Sequence, residues 1–472
     1  MPDTYTMVIP PRSRVLKSPC QENVVQLIRD CLKMGMNHFE TARFYGTSEY
    51  QIVEALYSMI QSGEIKREDF IFQTKLARVK SREDFEKGFA ESWANIGDKL
   101  GYIDLYAFHC MSKNEQVDWC LSDADDMPMA AVTQLKKEGK IKHIGFSTHG
   151  GGAQIMKLVE SNKFDFVNLH CHYFGSYHAE GTPDSKGSHG NKAVVKRALE
   201  LDMGVFLISG VDKGGALYNP SATLANVIGP TMTPIEFGCL EAWKKTGIHT
   251  ISIGLARPTD IVETLEAARL FTQKDIDAKL GVVEKRVEKH MDDKLGKDWE
   301  SDMVNLPWCE DPSTDGVLIG HHLWLHNLMK AFGMYDFCEA RYSNLEQAPW
   351  NPKKTFKENI EAMNPGNPGR GYDPKLDYTK ALEKHANSER AKAKMIEAHE
   401  WLCAANKPED RKAKGWEAAY DLRVWEAYPG EHGISAGSVF LQCMSFGTMG
   451  CGGGPTKSSA VFAEDLRTFF SA

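Results

Sequence analysis

Between residues 37 and 271, short apolar runs alternate with segments of helical period, and the alternation does not lapse. "NHFE" precedes "SEYQIVEALYSMIQ", in which Ile52, Val53, Leu56, Met59 and Ile60 share one helical face, and Ser48 with Gln51 spells a capping box. "DFIFQTKL" reads as a buried strand. A helix striped by Phe85, Phe89, Trp93, Ile96 and Leu100 follows it, with Ser81 as its cap. "YIDLYAFH", "KHIGFS", "DFVNLHCHYF", "GVFLISG" and "HTISIG" continue the series, each trailed by a helical segment. With "TMVIP" near the start as a first strand, the series reaches about eight units. Repeated right-handed crossovers give either a doubly wound sheet or a closed barrel. No GxGxxG follows the first strand, which counts against a dinucleotide-binding sheet. About eight units in about 270 residues suit a barrel. The expectation is therefore an α/β fold, a (β/α)8 TIM barrel over residues 1–271.

After residue 272 the strand signal stops, and residues 272–472 are expected to form a long, mainly α-helical C-terminal extension. Its Lys/Glu-rich start leads into an aromatic-rich stretch, and "NPGNPGRGYDP" is a loop by composition. Trp324, Leu325, Leu328, Phe332 and Tyr335 recur at helical spacing, so one face must be covered, by the barrel or by a partner in a protein assembly. His321, His322 and His326 read as packing or surface residues rather than a metal site. "GCGGGP" near the end reads as a flexible tail, since it lacks the Gly-Lys-Ser/Thr of a phosphate loop. "HGGGA" at 149–153 follows a strand and opens a helix. Its amides suit an anion, and plain turn chemistry explains the glycines equally well.

Bulk properties narrow the function classes. The net charge of -8 argues against a nucleic-acid surface, which needs a basic stripe. The hydrophobic fraction of 42% and charged fraction of 25% are those of an ordinary globular protein. The 11 cysteines are scattered without a CxxC pair, as in a reducing compartment. No apolar run approaches the length of a membrane span, and the N-terminus has no secretory core. A cytoplasmic protein is expected, or an organellar one if a transit peptide has been removed.

Four polar residues fall where successive strands end. Glu40 closes "NHFE", Tyr45 lies in the loop behind it, Lys75 closes "FIFQTK" and His109 closes "LYAFH". In a barrel such strand ends converge on one mouth. The set suits carbonyl reduction. A tyrosine donates the proton, a lysine ammonium lowers its pKa, a carboxylate holds that lysine, and a histidine orients the substrate oxygen.

At this point the sequence resembles the aldo-keto reductase superfamily, through "FETARFYGTSE", "QTKL", "YIDLYAFH", "EGKIKHIGFSTHG" and "FDFVNLHCHYF" in order and at the family's spacing. The resemblance covers roughly residues 20–271. It implies a (β/α)8 barrel, NADPH-dependent reduction of a small carbonyl substrate, and a catalytic tetrad at Tyr45, Glu40, Lys75 and His109. "HIGFSTHG" and "ARYSNLEQAPW" are similar to a branch whose members often carry a C-terminal ferredoxin-like segment. This chain lacks the clustered cysteines such a segment needs, so no iron–sulfur cluster is expected.

Departures from the family pattern are concentrated at the cofactor. The family's tetrad carboxylate is Asp, here Glu40. Its Ser-Asn pair for the nicotinamide amide falls on Ser147 and Thr148, its Gln on Asn168, and its stacking aromatic on Ile208, beside Ser209. Around the 2′-phosphate and adenine the family positions fall on Gly254, Leu255, Asp260 and Thr264, while Glu263 keeps its type and Arg257 is the nearest basic partner. Two readings follow: an NADP(H)-dependent oxidoreductase reducing a small aldehyde or ketone, and a non-catalytic barrel serving as structural subunit of a larger assembly.

Overall fold

The apolar runs are rich in β-branched and aromatic residues and are buried along nearly their whole length, as strands covered on both faces are. The computed structural model describes residues 12–77, 79–174, 191–210, 216–217, 220–255, 258–364, 366, 368–403 and 441–443. Among these, β1 (His38–Glu40), β2 (Ile71–Leu76), β3 (Ile103–Phe108), β4 (Ile141–Ser147), β5 (Phe166–Leu169) and β6 (Gly204–Leu207) pair in chain order, each parallel to the next. β7 (Thr250–Ile251) pairs parallel with β6, and β8 (Ile253–Leu255) continues the same run after a break at Ser252. The expected first strand, "TMVIP", lies outside the described residues.

The wall closes through the far end of the chain. β9 (Leu441–Cys443) enters between β1 and β8, antiparallel to both, with Gln442 opposite Glu40 on one side and Gly254 on the other. Because β7 and β8 are halves of one run, the sheet becomes a ring. The architecture is a (β/α)8 barrel with a mainly helical C-terminal extension, which also contributes the short strand β9. A run of three residues is too short to show a period, so nothing in its composition announces it.

Inside the barrel Leu105, Ala107, Phe166 and Phe206 form their own apolar cluster, with Ile71 against it. Phe166 and Phe206 stack at 5.3 Å between centroids. Gly145 makes room for them, since a Cβ there would lie 2.5 Å from the Phe166 ring. Outside, the helices cover the wall as their stripes predict. Phe85, Phe89, Ile96 and Leu100 are buried on the helix Arg82–Leu100, and the Ser81 hydroxyl accepts from the Asp84 amide at 3.2 Å. Burying each such Phe or Leu contributes roughly 1.5–3 kcal/mol. The helix Ser48–Gln61 spans the predicted segment, but Ser48 is not its cap. Its N-cap is Thr47, while the Ser48 hydroxyl accepts from Thr41 at 2.9 Å.

In the extension, the helix Ile319–Phe332 is buried on all sides rather than along one stripe. His321, His322 and His326 are therefore core residues. The His322 Nδ1 lies 2.8 Å from the Leu318 carbonyl, and the His326 Nε2 lies 2.8 Å from Glu397. A buried charge cluster ties neighbouring segments together: Asp302, with no exposed surface, accepts from Arg390 and from Lys394 at 2.8 Å. This half touches the barrel at several points. Ser221 donates to the Phe332 carbonyl, Phe174 meets Phe332 edge-on at 5.5 Å, and Lys113 donates to the carbonyls of Glu361 and Met363 at 2.8 Å. Among the described residues no helix is long and apolar enough to cross a membrane. The tail "GCGGGP" lies outside those residues.

Candidate active site

Glu40 and Lys75 end adjacent strands on the inner face, and each is almost wholly buried. They form an ion pair between Lys75 Nζ and Glu40 Oε1. Two desolvated charges persist only when closely paired, so removing one alone would cost about 3–5 kcal/mol. Beyond Glu40 the chain stays alongside β2, with the Thr41 amide donating to the Gln73 carbonyl at 2.8 Å and the Arg43 amide to the Lys75 carbonyl at 2.9 Å. It then turns. The Tyr45 amide donates to the Ala42 carbonyl at 3.0 Å, and Gly46 adopts φ +58°, a conformation that glycine takes without strain. The turn sets Tyr45 over the mouth. Its hydroxyl is 3.4 Å from His109 Nε2, and its ring centroid is 5.1 Å from Lys75 Nζ. Glu49, at the start of the next helix, fixes this loop by accepting from Thr74 at 2.7 Å and Ser92 at 2.9 Å.

Electrostatics overturn one expectation. Lys75 was expected to pull the Tyr45 pKa down. Instead burial, followed by the Glu40 charge, pushes it well above its ordinary value. The Lys75 charge is matched by Glu40, so it offers the phenol little net field. Tyr45 is thus protonated throughout the ordinary pH range. Burial, then the Lys75 charge, lowers His109 to about 3, so its ring is neutral. The pair is a neutral donor beside a neutral imidazole, whose Nδ1 is buried without a partner among the described residues.

A second inner layer lies below. His38 Nε2 meets Gln73 Oε1 at 2.9 Å, and Gln73 Nε2 donates to Asn168 Oδ1 at 2.8 Å. His38 and Gln73 stand two residues before Glu40 and Lys75, so strand alternation could have found them. Asn168 Nδ2 is buried and unpartnered among the described residues, which suits a donor to a carboxamide oxygen. Ser147 and Thr148 are more committed. The Ser147 Oγ accepts from the Cys110 amide at 3.0 Å. Thr148 donates to the Met111 carbonyl at 2.7 Å and accepts from the Gly150 amide at 2.9 Å.

The anion reading of "HGGGA" is changed by the same loop. The Gly151 amide donates to Gln154 at 3.0 Å, and Gln154 in turn donates to Glu310 of the extension. The chain thus supplies its own acceptors there. Ile208 is buried just after the end of β6, and Ser209 follows with φ +57°. Glu263 sits on the helix Pro258–Phe271, close enough for its charge to help raise Glu236, after burial and Glu266. Arg257 lies outside the described residues. A small cleft lined by His172, Tyr173, Phe174, Leu207 and Leu217 opens beside β5 and β6, and no tetrad residue lines it.

Residues 16–180 match the model of the Aldo/keto reductase family. L-galactose dehydrogenase of Arabidopsis thaliana is 26% identical over 172 residues, which are 34% of this chain and 50% of that protein. Protein REDOX 2 of Catharanthus roseus is 29% identical over 155 residues, 30% of this chain and 46% of that protein. The chain thus spans half or less of the length of these relatives. Among solved structures, an apo aldo-keto reductase from Bacillus halodurans shares 15% identity at a TM-score of 0.41, covering 56% of this chain and 87% of that one.

Proposed function

We propose, from the match of residues 16–180 to the Aldo/keto reductase family model, that the chain is an NADP(H)-dependent oxidoreductase reducing a small aldehyde or ketone, with Tyr45 as proton donor. The observation that carries this reading is the buried Glu40–Lys75 pair beside a protonated Tyr45 in contact with a neutral His109. A carbonyl oxygen seated between the Tyr45 hydroxyl and His109 would accept hydrogen bonds before reaction. As negative charge develops on that oxygen, the Tyr45 proton passes to it, and Lys75 stands 5.1 Å from the ring left behind. NADPH, when bound, supplies the hydride. Asn168 Nδ2, with Ser147 beside it, would hold its carboxamide, with Ile208 as an apolar neighbour. Titration of the full chain with NADPH, followed by fluorescence quenching and then turnover on a panel of small aldehydes and ketones, tests the reading. Tight binding with measurable turnover supports it.

One observation favours the second reading, a non-catalytic barrel in an assembly. The Thr148 hydroxyl is engaged by the Met111 carbonyl of the loop after β3 and by the Gly150 amide of its own loop, and Ile208 offers no ring to stack. A well-folded chain that fails to quench with either NADPH or NADH would favour that role.

A further inference from the structure

Ser252 occupies the break between β7 and β8, and its side chain is almost wholly buried. Its backbone is fully engaged: the amide donates to the Leu207 carbonyl at 2.7 Å, and its own carbonyl accepts from the Gly210 amide at 3.2 Å. That leaves the hydroxyl free to turn inward, where it donates to Glu40 Oε2. The two carboxylate oxygens of Glu40 are therefore divided. Lys75 holds one and Ser252 the other.

We propose that Ser252 is a positioning residue for the reaction, acting through Glu40 to fix Lys75 beside Tyr45; this inference rests on the carbonyl-reductase reading of the site. The barrel topology supplies the reason. β1 and β8 do not pair with each other, because β9 lies between them. The Ser252–Glu40 bond crosses that seam as a side-chain tie between residues 212 positions apart. A carboxylate held by Lys75 alone could pivot about its side-chain torsions and carry the ammonium away from the Tyr45 ring. With its second oxygen anchored, it cannot. The length of Glu40 also finds a use here. An aspartate would withdraw the carboxylate by about 1.5 Å and could not keep both donors, so Glu40 and Ser252 form a matched pair.

The test is a double-mutant cycle on the full chain. Ser252→Ala should lower kcat about tenfold to a hundredfold while leaving the dissociation constant for NADPH within about twofold. Ser252→Thr, which keeps the hydroxyl, should restore most of kcat. In a Glu40→Asp background, Ser252→Ala should cost less than about threefold, because the tie is already broken. Independent of turnover, the 15N resonance of Lys75 Nζ, assigned with Lys75→Met, should shift in Ser252→Ala and return in Ser252→Thr. Multiplicative effects of Ser252→Ala and Glu40→Asp, or a Lys75 resonance unmoved by Ser252→Ala, would overturn the proposal. A chain without turnover whose resonance responds as described would sink the carbonyl-reductase reading and leave the Glu40–Ser252 coupling standing.

Discussion

The two sides of the barrel mouth are built differently. On the β1–β3 side, Glu40, Lys75 and His109 are buried ionisable groups, and the Glu40–Lys75 pair would be expensive to keep if unpaired. On the β4–β6 side, Ser147, Thr148 and Asn168 are neutral, and their hydrogen bonds run mostly to the chain's own loops and strands. The first side stores electrostatic organisation that packing alone does not need. The second can be accounted for as structure, apart from the Asn168 amide, which has no partner among the described residues. Under the proposed function, chemistry would rest on the first side and cofactor binding on the second, and mutations can ask whether the two belong together.

The sharpest break concerns Tyr45. Replacing it with Phe keeps the ring beside Lys75 and removes only the hydroxyl that faces His109. Turnover is expected to fall by about 10²–10⁴-fold with the melting temperature little changed. Near-normal turnover would move the proton donor elsewhere and erase the contrast between the two sides.

Acid should disturb the ionisable side first. His109 takes up a proton near 6.5 when unfolded but only at about 3 in the fold, because burial and then the Lys75 charge oppose it. Its pKa is depressed, so the unfolded state binds the extra proton between those values. The associated stability is complete above about pH 6.5 and is lost as pH falls towards 3. His322 in the extension, lowered to about 4 by burial, acts with the same sign. Denaturant titrations at pH 7 and pH 4 should show that His109→Asn loses less stability than the parent over this interval, by on the order of 3 kcal/mol. Equal losses would mean that the imidazole is solvated or charged in the fold.

How much of this was readable before folding differs by residue. Glu40, Lys75 and His109 were legible because each ends a strand, and strand ends of a parallel barrel share one mouth. His38 and Gln73 were legible in principle from the alternation of two. Ser252 was not, since its meeting with Glu40 depends on ring closure by β9 and leaves no local pattern in the sequence. The direction of the Tyr45 shift was misread for a related reason: the nearness of Lys75 was foreseen, but the burial that outweighs it was not. Ser48 does not cap its helix as assigned: its hydroxyl accepts from Thr41, and Thr47 holds the N-cap position without a side-chain capping bond.

On the neutral side, two substitutions should give opposite signatures. Asn168→Ala removes the unpartnered donor and should weaken NADPH binding about tenfold. Thr148→Val breaks the bonds to the Met111 carbonyl and the Gly150 amide. It should lower stability by about 1–2 kcal/mol while changing cofactor affinity less than about twofold. Calorimetric melting beside fluorescence titration separates the two. If Thr148→Val weakened binding more than Asn168→Ala, the assignment of structure and function within this side would be reversed.

The smallest expected effect is the discrimination between NADPH and NADH. A 2′-phosphate adds negative charge, so its site must offer a surplus of positive charge. Around Glu263 the described charges run the other way. Burial raises Glu236, and the neighbouring Glu266 and Glu263 charges raise it further. Arg269, the adjacent cation, is bound to Glu266 at 2.8 Å. In the sequence, Asp260 adds another carboxylate three positions after Arg257. We therefore expect the two dissociation constants to differ by less than about tenfold, which is about 1.4 kcal/mol. Side-by-side titrations at constant ionic strength give the ratio. A preference for NADPH beyond a hundredfold would require a basic residue close to the phosphate that outweighs these carboxylates, and Arg257→Ala would then be expected to abolish it.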